Sequence, residues 1–369
     1  SESWLREWVS PDITTAELAE LLTQAGLEVE TVEVQQPLGD KFVVGRISAI
    51  EKHPDADKLN VCRVDTGGDS LTIVCGAPNA RQGLVAPVAL VGAELPGGMQ
   101  IGAREVRGVA SSGMICSAAE LGLEEQSDGV MELDADAPVG ALLDEYLALE
   151  DAIIDIDLTP DRGDCLSIAG IARDISAMSG TALTEPEIKN VEAQIEDVFS
   201  VELQAPQACP RYAGRIIRGV DLHAVSPDWM KEKLRRVGLR SISPIVDVTN
   251  YVMIELGQPM HAFDLNKLEG GIVVRMAEKG EALTLLDESQ IELQQDMLLI
   301  ADHKKAVALA GIMGGGNSEI DEGTTDILLE SAHFSPLAIA GKARSLGMQT
   351  DASHRFERGV DTHLQALAI

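Results

Sequence analysis

Several residues in the C-terminal half have the types and spacing to do chemistry. Glu330 ends an apolar, strand-like run, Ile327-Leu-Leu-Glu330. A carboxylate buried in such a run needs a partner, and a salt bridge to a nearby arginine is the default. Gly314, Gly315 and Gly316 follow Met313. Such glycines let backbone approach a ligand closely and offer it N–H groups, or they simply make a turn. His261 lies between Pro259 and Asp264, where an imidazole orients a water or serves as a structural hydrogen-bonder. Thr249 and Asn250, in Val246-Asp-Val-Thr-Asn-Tyr-Val252, offer short polar groups for a substrate or for helix capping and turn bonding. The sequence shows no Ser-His-Asp pattern and no metal-ligand spacing.

These residues need a mixed α/β frame. Strands are expected at Val201–Leu203, Gly214–Val220, Gly271–Arg275 and Asp326–Leu329. Helices are expected at Pro227–Val237, Val246–Leu256 and Pro336–Leu346. Upstream, Thr14 and Glu17 have capping-box spacing and open the first helix. Its apolar face is Leu18, Leu21, Leu22 and Ala25, with Gly26 as the C′ residue. From Asp40 the pattern turns to strands: Phe42–Ile50, Leu71–Cys75 and Leu84–Val91. Turns such as His53–Asp57, Gly67–Asp69, Gly76–Asn79 and Pro96–Gly98 separate them, which predicts a small closed barrel. The acidic segment Gln126–Ala137 is its exit loop. A strand at Ala152–Leu158 follows, and then a helix capped by Asp164 and ended by Gly180. The simplest arrangement is one small α/β domain made from both flanks, with the barrel inserted. Glu185–Asp197 is polar, contains Pro186, and predicts a linker.

Composition bounds the function. A chain of 369 residues has room for two to three domains at roughly 100–200 residues each. With 45% hydrophobic and 24% charged residues it folds, and with 3% aromatics its cores are built from Val, Ile, Leu and Ala. Sixty acidic against 29 basic residues give a net charge of −31, which excludes non-specific nucleic-acid binding. Any RNA contact must be local, through Met230–Arg240 or through Lys342–Arg358 with Arg344, His354 and Arg355. No stretch approaches the roughly 18 apolar residues of a membrane span; the best, Leu84–Ala93, contains Pro87. The first residues show no basic segment followed by an apolar run, so no secretory signal is expected. The five cysteines lie far apart, which fits a reducing cytoplasm better than a disulfide scaffold or a zinc ribbon. Both ends look cut, so a longer protein is expected.

In the barrel, His53-Pro-Asp-Ala-Asp-Lys-Leu59, Ile73-Val-Cys-Gly-Ala-Pro-Asn79 and Val106-Arg-Gly-Val-Ala-Ser-Ser-Gly-Met-Ile-Cys-Ser117 resemble a tRNA-binding module. That module, an OB-fold, occurs in several aminoacyl-tRNA synthetases and EMAP-II-like proteins. The barrel's acidity and its lack of aromatics beyond Phe42 weaken the grip on single strands that such folds supply, which leaves RNA contact and a structural spacer as alternatives.

The wider pattern covers the whole chain. It comprises Trp4-Leu-Arg-Glu-Trp8, Thr159-Pro-Asp-Arg-Gly-Asp-Cys165, Glu255-Leu-Gly-Gln-Pro-Met-His-Ala-Phe-Asp264, Ala308-Leu-Ala-Gly-Ile-Met-Gly-Gly-Gly316, Leu328-Leu-Glu-Ser-Ala-His-Phe334 and Thr350-Asp-Ala-Ser-His-Arg-Phe-Glu-Arg-Gly-Val-Asp361. It resembles the β subunit of bacterial phenylalanine–tRNA ligases. The resemblance implies a multidomain α+β chain. Residues 1–38 and 148–188 would form the small α/β domain, 39–147 the OB-fold, and 196–369 a B3/B4-like editing domain that hydrolyses tyrosyl-tRNA(Phe). It implies a catalytic set of Glu330, His261, Gly314, Thr249 and Asn250, with Glu330 receiving the tyrosine hydroxyl. Thr350, Ala352 and Arg240 would bind substrate, and the substrate's vicinal ribose hydroxyl could assist. It further implies an α-subunit partner in an α2β2 heterotetramer, tRNA(Phe) as ligand, no membrane, and a cytoplasmic location. ATP and Mg2+ would serve the whole enzyme, with no metal or cofactor held by this chain. The alternative is a tRNA-binding scaffold whose editing pocket is inactive.

Overall fold

The computed structural model describes residues 1–68, 70–189 and 191–369. Asp69, at the end of one expected turn, and Asn190, within the expected linker, lie outside the described residues. The chain forms two compact units. One comprises Ser1–Val32, Ile154–Ser226 and Lys233–Ile369; the other comprises Glu33–Ile153 and Pro227–Glu232.

The second unit is built on a five-stranded antiparallel sheet in the order Leu71–Cys75, Asn60–Asp65, Phe42–Lys52, Val85–Ala89, Met114–Ile115. Phe42–Lys52 is the spine and pairs on both edges. A register shift at Ile47/Ala49 inserts a bulge, the usual way a strand bends to curl a sheet. Gly45 sits where the curl is tightest, since a Cβ there would lie 2.5 Å from Val88 Cγ2. The two ends of the sheet nearly meet: Ser112 N–H donates to Thr72 O at 2.8 Å and Val74 N–H to Ser111 Oγ at 3.1 Å. The result is a nearly closed, OB-like barrel with an interior of Ile47, Cys62, Val64, Ile73 and Val88. The strand Asn60–Asp65 is an addition to the sequence-based expectation. Its Asn-Val-Cys-Arg-Val-Asp run is half polar because alternate residues face solvent.

In the first unit, the helices Glu2–Trp8, Thr15–Gln24 and Ile168–Ser179 pack into one apolar core around Trp4, Leu18, Leu22, Leu27 and Ile175. The helix opened by Thr14 has its full capping box, but Glu2–Trp8 precedes it. The Ile168–Ser179 helix corrects a second expectation: its N-cap is Ser167, whose Oγ accepts from Gly170 N–H at 3.0 Å. Asp164 instead belongs to a short 3-10 turn, where Arg162 holds its carboxylate. Gly180 ends the helix in the left-handed region, as expected.

The rest of that unit holds two larger sheets beside the two-stranded ribbon of Ala282–Thr284 and Gln290–Glu292. One runs Ser200–Leu203, Gly271–Met276, Leu298–Ala301, Ala306–Leu309, Met313–Gly314; the other runs Arg211–Arg218, Asp326–His333, Met260–Asp264. A common core, including Phe263, Val274, Ile300, Leu309, Leu328 and Phe334, joins them. The expected strand Asp326–Leu329 continues through Glu330 to His333, because Arg211–Arg218 pairs with it along its whole length and Met260–Asp264 pairs with Ile327–Ser331 on the other edge. The expected helix Pro336–Leu346 is two short helices, Pro336–Ile339 and Lys342–Ser345, separated at Gly341, whose φ of 75° breaks the helical path.

Candidate functional site

The site grows from one row of the three-stranded sheet. Glu330 in the central strand stands opposite Gly214 on one edge and His261 on the other. Cross-strand partners project from the same face, so the carboxylate and the imidazole are neighbours on the face turned toward the core. Glu330 is 7% exposed. Its partner is a phenol rather than an arginine: Tyr212 Oη donates to Glu330 Oε2 at 2.9 Å. Burial pushes the Glu330 carboxyl up to about 7, and the hydrogen bond from Tyr212 partly opposes that rise.

His261 packs edge-on against Phe263, with ring centroids 4.6 Å apart. Its Nε2 is buried and has no protein partner. Burial pushes the imidazole down to about 4, so it is neutral at physiological pH. Gly314 is what lets the ring lie there. A Cβ on residue 314 would fall 2.5 Å from His261 Cε1 and 2.7 Å from Nε2, well inside contact distance. The glycine thus serves close approach between a backbone and an imidazole.

Between the two sheets lies a pocket enclosing about 400 Å3, part of it continuous with solvent. Its walls are largely apolar, with Met260, Ile312, Met313, Phe334, Ala352 and Phe356 among them, and its two polar side chains are His261 and Glu330. Phe334 and Phe356 make a T-shaped pair at 4.9 Å. The lining contains no hydroxyl, thiol or amine side chain.

The pocket thus gathers Glu330, His261, Gly314 and Ala352. Thr350 stands just outside it. Thr350 caps the helix Asp351–Arg358 that carries Ala352, and its Oγ1 donates to the carbonyl of Ile312, a lining residue, at 3.0 Å. Thr249 and Asn250 ride on the helix Pro244–Leu256, outside the lining; Thr249 Oγ1 donates to Val246 O at 2.9 Å. Arg240 is exposed in the segment before that helix. Tyr212 lies outside every motif that the sequence offered, whereas Met260, Phe334 and Phe356 lie within motifs but carried no sign of lining a pocket. The one legible signal for Tyr212 was its period-two relation to Gly214 and Ile216 in a strand.

Among the described residues, one cluster of acidic and thiol groups is tight enough to hold a metal: Asp164, Cys165 and Asp174. The guanidinium of Arg162 occupies its centre, with Nη2 2.5 Å from Asp174 and 2.9 Å from Cys165 Sγ. That cluster is an arginine site.

Two family models match the chain: "B3/4 domain" over residues 208–369 and "Putative tRNA binding domain" over residues 42–142. The phenylalanine–tRNA ligase β subunits of Hahella chejuensis and Pseudomonas putida are each 56% identical over 370 residues, covering 100% of this chain and 47% of their own. That of Yersinia pestis is 54% identical, covering 100% and 46%. The chain therefore spans about half the length of the curated relatives it matches. A solved N-terminal fragment of the phenylalanyl-tRNA synthetase β subunit from Pyrococcus horikoshii covers 53% of this chain and 60% of its own, at 16% identity and a TM-score of 0.31, too loose a superposition to bear on the fold. High identity along the whole chain, with both domain models in order, has one meaning: the chain belongs to the phenylalanine–tRNA ligase β-subunit family and matches the N-terminal part of such subunits.

Proposed function

We propose that this chain carries the proofreading activity of a phenylalanine–tRNA ligase, hydrolysing tyrosyl-tRNA(Phe) in the pocket around Glu330 and His261. The observation that carries the proposal is a buried carboxylate at the wall of an otherwise apolar pocket. A synthetic site shaped for phenylalanine cannot strongly reject a ligand that adds one hydroxyl; comparable pockets manage about 10². A pocket with a buried acceptor does the opposite. Tyrosine's hydroxyl donates to the second oxygen of Glu330, whereas phenylalanine leaves that oxygen without a donor among apolar walls.

The reaction is ester hydrolysis. A water oxygen adds to the ester carbonyl, and the tetrahedral intermediate collapses with expulsion of the ribose oxygen, which takes up a proton. Tyrosine and free tRNA result. Neutral His261, with a free buried nitrogen, supports the water or the ribose end by a hydrogen bond. Gly314 keeps the backbone close beside it. Thr249, Asn250, Thr350 and Arg240 belong, in this proposal, to the surrounding support and to the tRNA end. The family uses ATP and Mg2+. Among the described residues, Tyr212 engages the pocket's single carboxylate and Arg162 fills the acidic cluster, so neither is arranged as a Mg2+ site. In this proposal aminoacylation falls to an α subunit, in an α2β2 assembly in the cytoplasm, with tRNA(Phe) as the shared ligand. The barrel serves tRNA docking.

The test is deacylation of tyrosyl-tRNA(Phe) and phenylalanyl-tRNA(Phe) by the full-length β protein assembled with α. Wild type hydrolyses the tyrosyl ester selectively. Glu330→Ala loses about 10–100-fold of that preference, the worth of a hydrogen bond to a charged group. Comparable hydrolysis of the two esters by wild type would sink the assignment.

A further inference from the structure

We infer that Tyr212 is the positioning residue of this pocket: its phenol holds one oxygen of Glu330 and so fixes the other as the acceptor for the ligand's ring hydroxyl. The inference rests on the proofreading proposal and extends it to a residue outside the set that the sequence pointed to.

The sheet is shaped for this contact. Tyr212 is in register with Ala332, and Gly214 with Glu330. Tyr212 therefore reaches Glu330 on the diagonal, between neighbours on one face. The residues at the two other corners of that square are the smallest available, alanine and glycine. A Cβ on Gly214 would meet the Tyr212 ring at 3.9 Å and Leu328 Cδ1 at 3.4 Å, so residue 214 lies along the ring's path. The phenol has one proton, and it goes to Oε2. An ionised carboxylate accepts at each of its two oxygens, so Oε1 keeps its capacity.

The consequence is a carboxylate built to take two phenols, one resident and one brought by the ligand. Charge strengthens the second bond and raises the cost of leaving it unmade, so discrimination is greatest when Glu330 is ionised. The groups that face Glu330 are few. Tyr212 comes from one flanking strand and His261 from the other, and Cys209 lies just before the Tyr212 strand. The opposite sheet offers Ile300, Leu309 and other apolar side chains. Burial drives His261 down to about 4 and Cys209 up to about 12. Neither changes charge near neutrality, which leaves Glu330 as the titrating group among them. The hydrogen bond from Tyr212 favours its ionised form, and removing that bond moves the titration upward.

The experiment compares wild type, Tyr212→Phe and Glu330→Ala in the full-length assembly. It measures kcat/KM for tyrosyl- and phenylalanyl-tRNA(Phe) from acid to alkaline pH. Tyr212→Phe should lower the tyrosyl value about tenfold, leave the phenylalanyl value no lower than in wild type, and shift the midpoint of the tyrosyl pH profile upward. A wild type without tyrosyl preference, or a Glu330→Ala variant that retains it, defeats the proofreading proposal itself. If those two behave as proposed and Tyr212→Phe keeps both the preference and the midpoint, the role given to Tyr212 is wrong. Equal loss of both hydrolyses would also overturn it, because positioning of Glu330 acts on the hydroxylated substrate alone.

Discussion

The three glycines at 314–316 make a graded test of the pocket. In Gly314→Ala the new Cβ would lie 2.5 Å from His261 Cε1 and 2.7 Å from Nε2, where ordinary contact begins at 3.4 Å. The deficit against Cε1 is 3.4 − 2.5 = 0.9 Å. The imidazole cannot absorb it freely, since its other side packs on Phe263. A forced displacement of this size in a packed core costs about 1–3 kcal/mol, and a misplacement near 1 Å at a reacting site costs about 10²-fold in rate. In Gly315→Ala the Cβ meets the backbone oxygen of Val307 at 2.7 Å, across the ladder where Gly315 N–H donates to that same oxygen. Stability suffers there at least as much. In Gly316→Ala the nearest atom is Leu285 O at 3.5 Å, so stability should stay within about 0.5 kcal/mol. None of the three has a φ in the left-handed region, so the contrast reports contact rather than backbone strain. The assay is thermal unfolding by circular dichroism beside tyrosyl-tRNA(Phe) deacylation. Wild-type melting and hydrolysis in Gly314→Ala would refute the placement of His261 against that backbone.

Burial of Glu330 makes a prediction about pH. Its carboxyl rises from an ordinary 4.5 to about 7, so the native state binds the proton more tightly than the unfolded chain. The contribution to stability is therefore full below pH 4.5 and is lost as pH rises through about 7, a change of about 3 kcal/mol. His261 acts in the opposite sense, since its lowered pKa makes stability grow as pH rises from about 4 to 6.5. Unfolding of wild type against Glu330→Gln isolates the first term: the glutamine variant should gain relative stability across that window, and a flat difference would refute the burial. Gly170 offers a test far from the pocket. A Cβ there would lie 1.8 Å from Asp164 O, so Gly170→Ala should destabilise the unit by about 3 kcal/mol or more, read as a lower denaturant midpoint. An unchanged midpoint would show that the 3-10 turn does not pack on that helix.

Local signals were enough for many elements. The Thr14 capping box, the Gly180 stop and the Phe42 strand follow from side chains that act within a few residues of themselves. Motif order was enough for the family, because OB and B3/4 segments occur in a fixed sequence along the chain. Glu330, His261, Gly314 and Ala352 were legible as a set only through that resemblance. What tertiary structure decided was partnership. An isolated glutamate in an apolar run does not announce whether an arginine or a phenol will meet it. Tyr212 lies 118 residues away in sequence and reaches it through a sheet register that neither strand encodes alone. The same holds for Gly314, whose requirement for no side chain comes from His261 on another sheet. The charge state of Glu330 follows from enclosure by walls drawn from both sheets. Desolvation is a property of the assembled surroundings, and no stretch of sequence carries it.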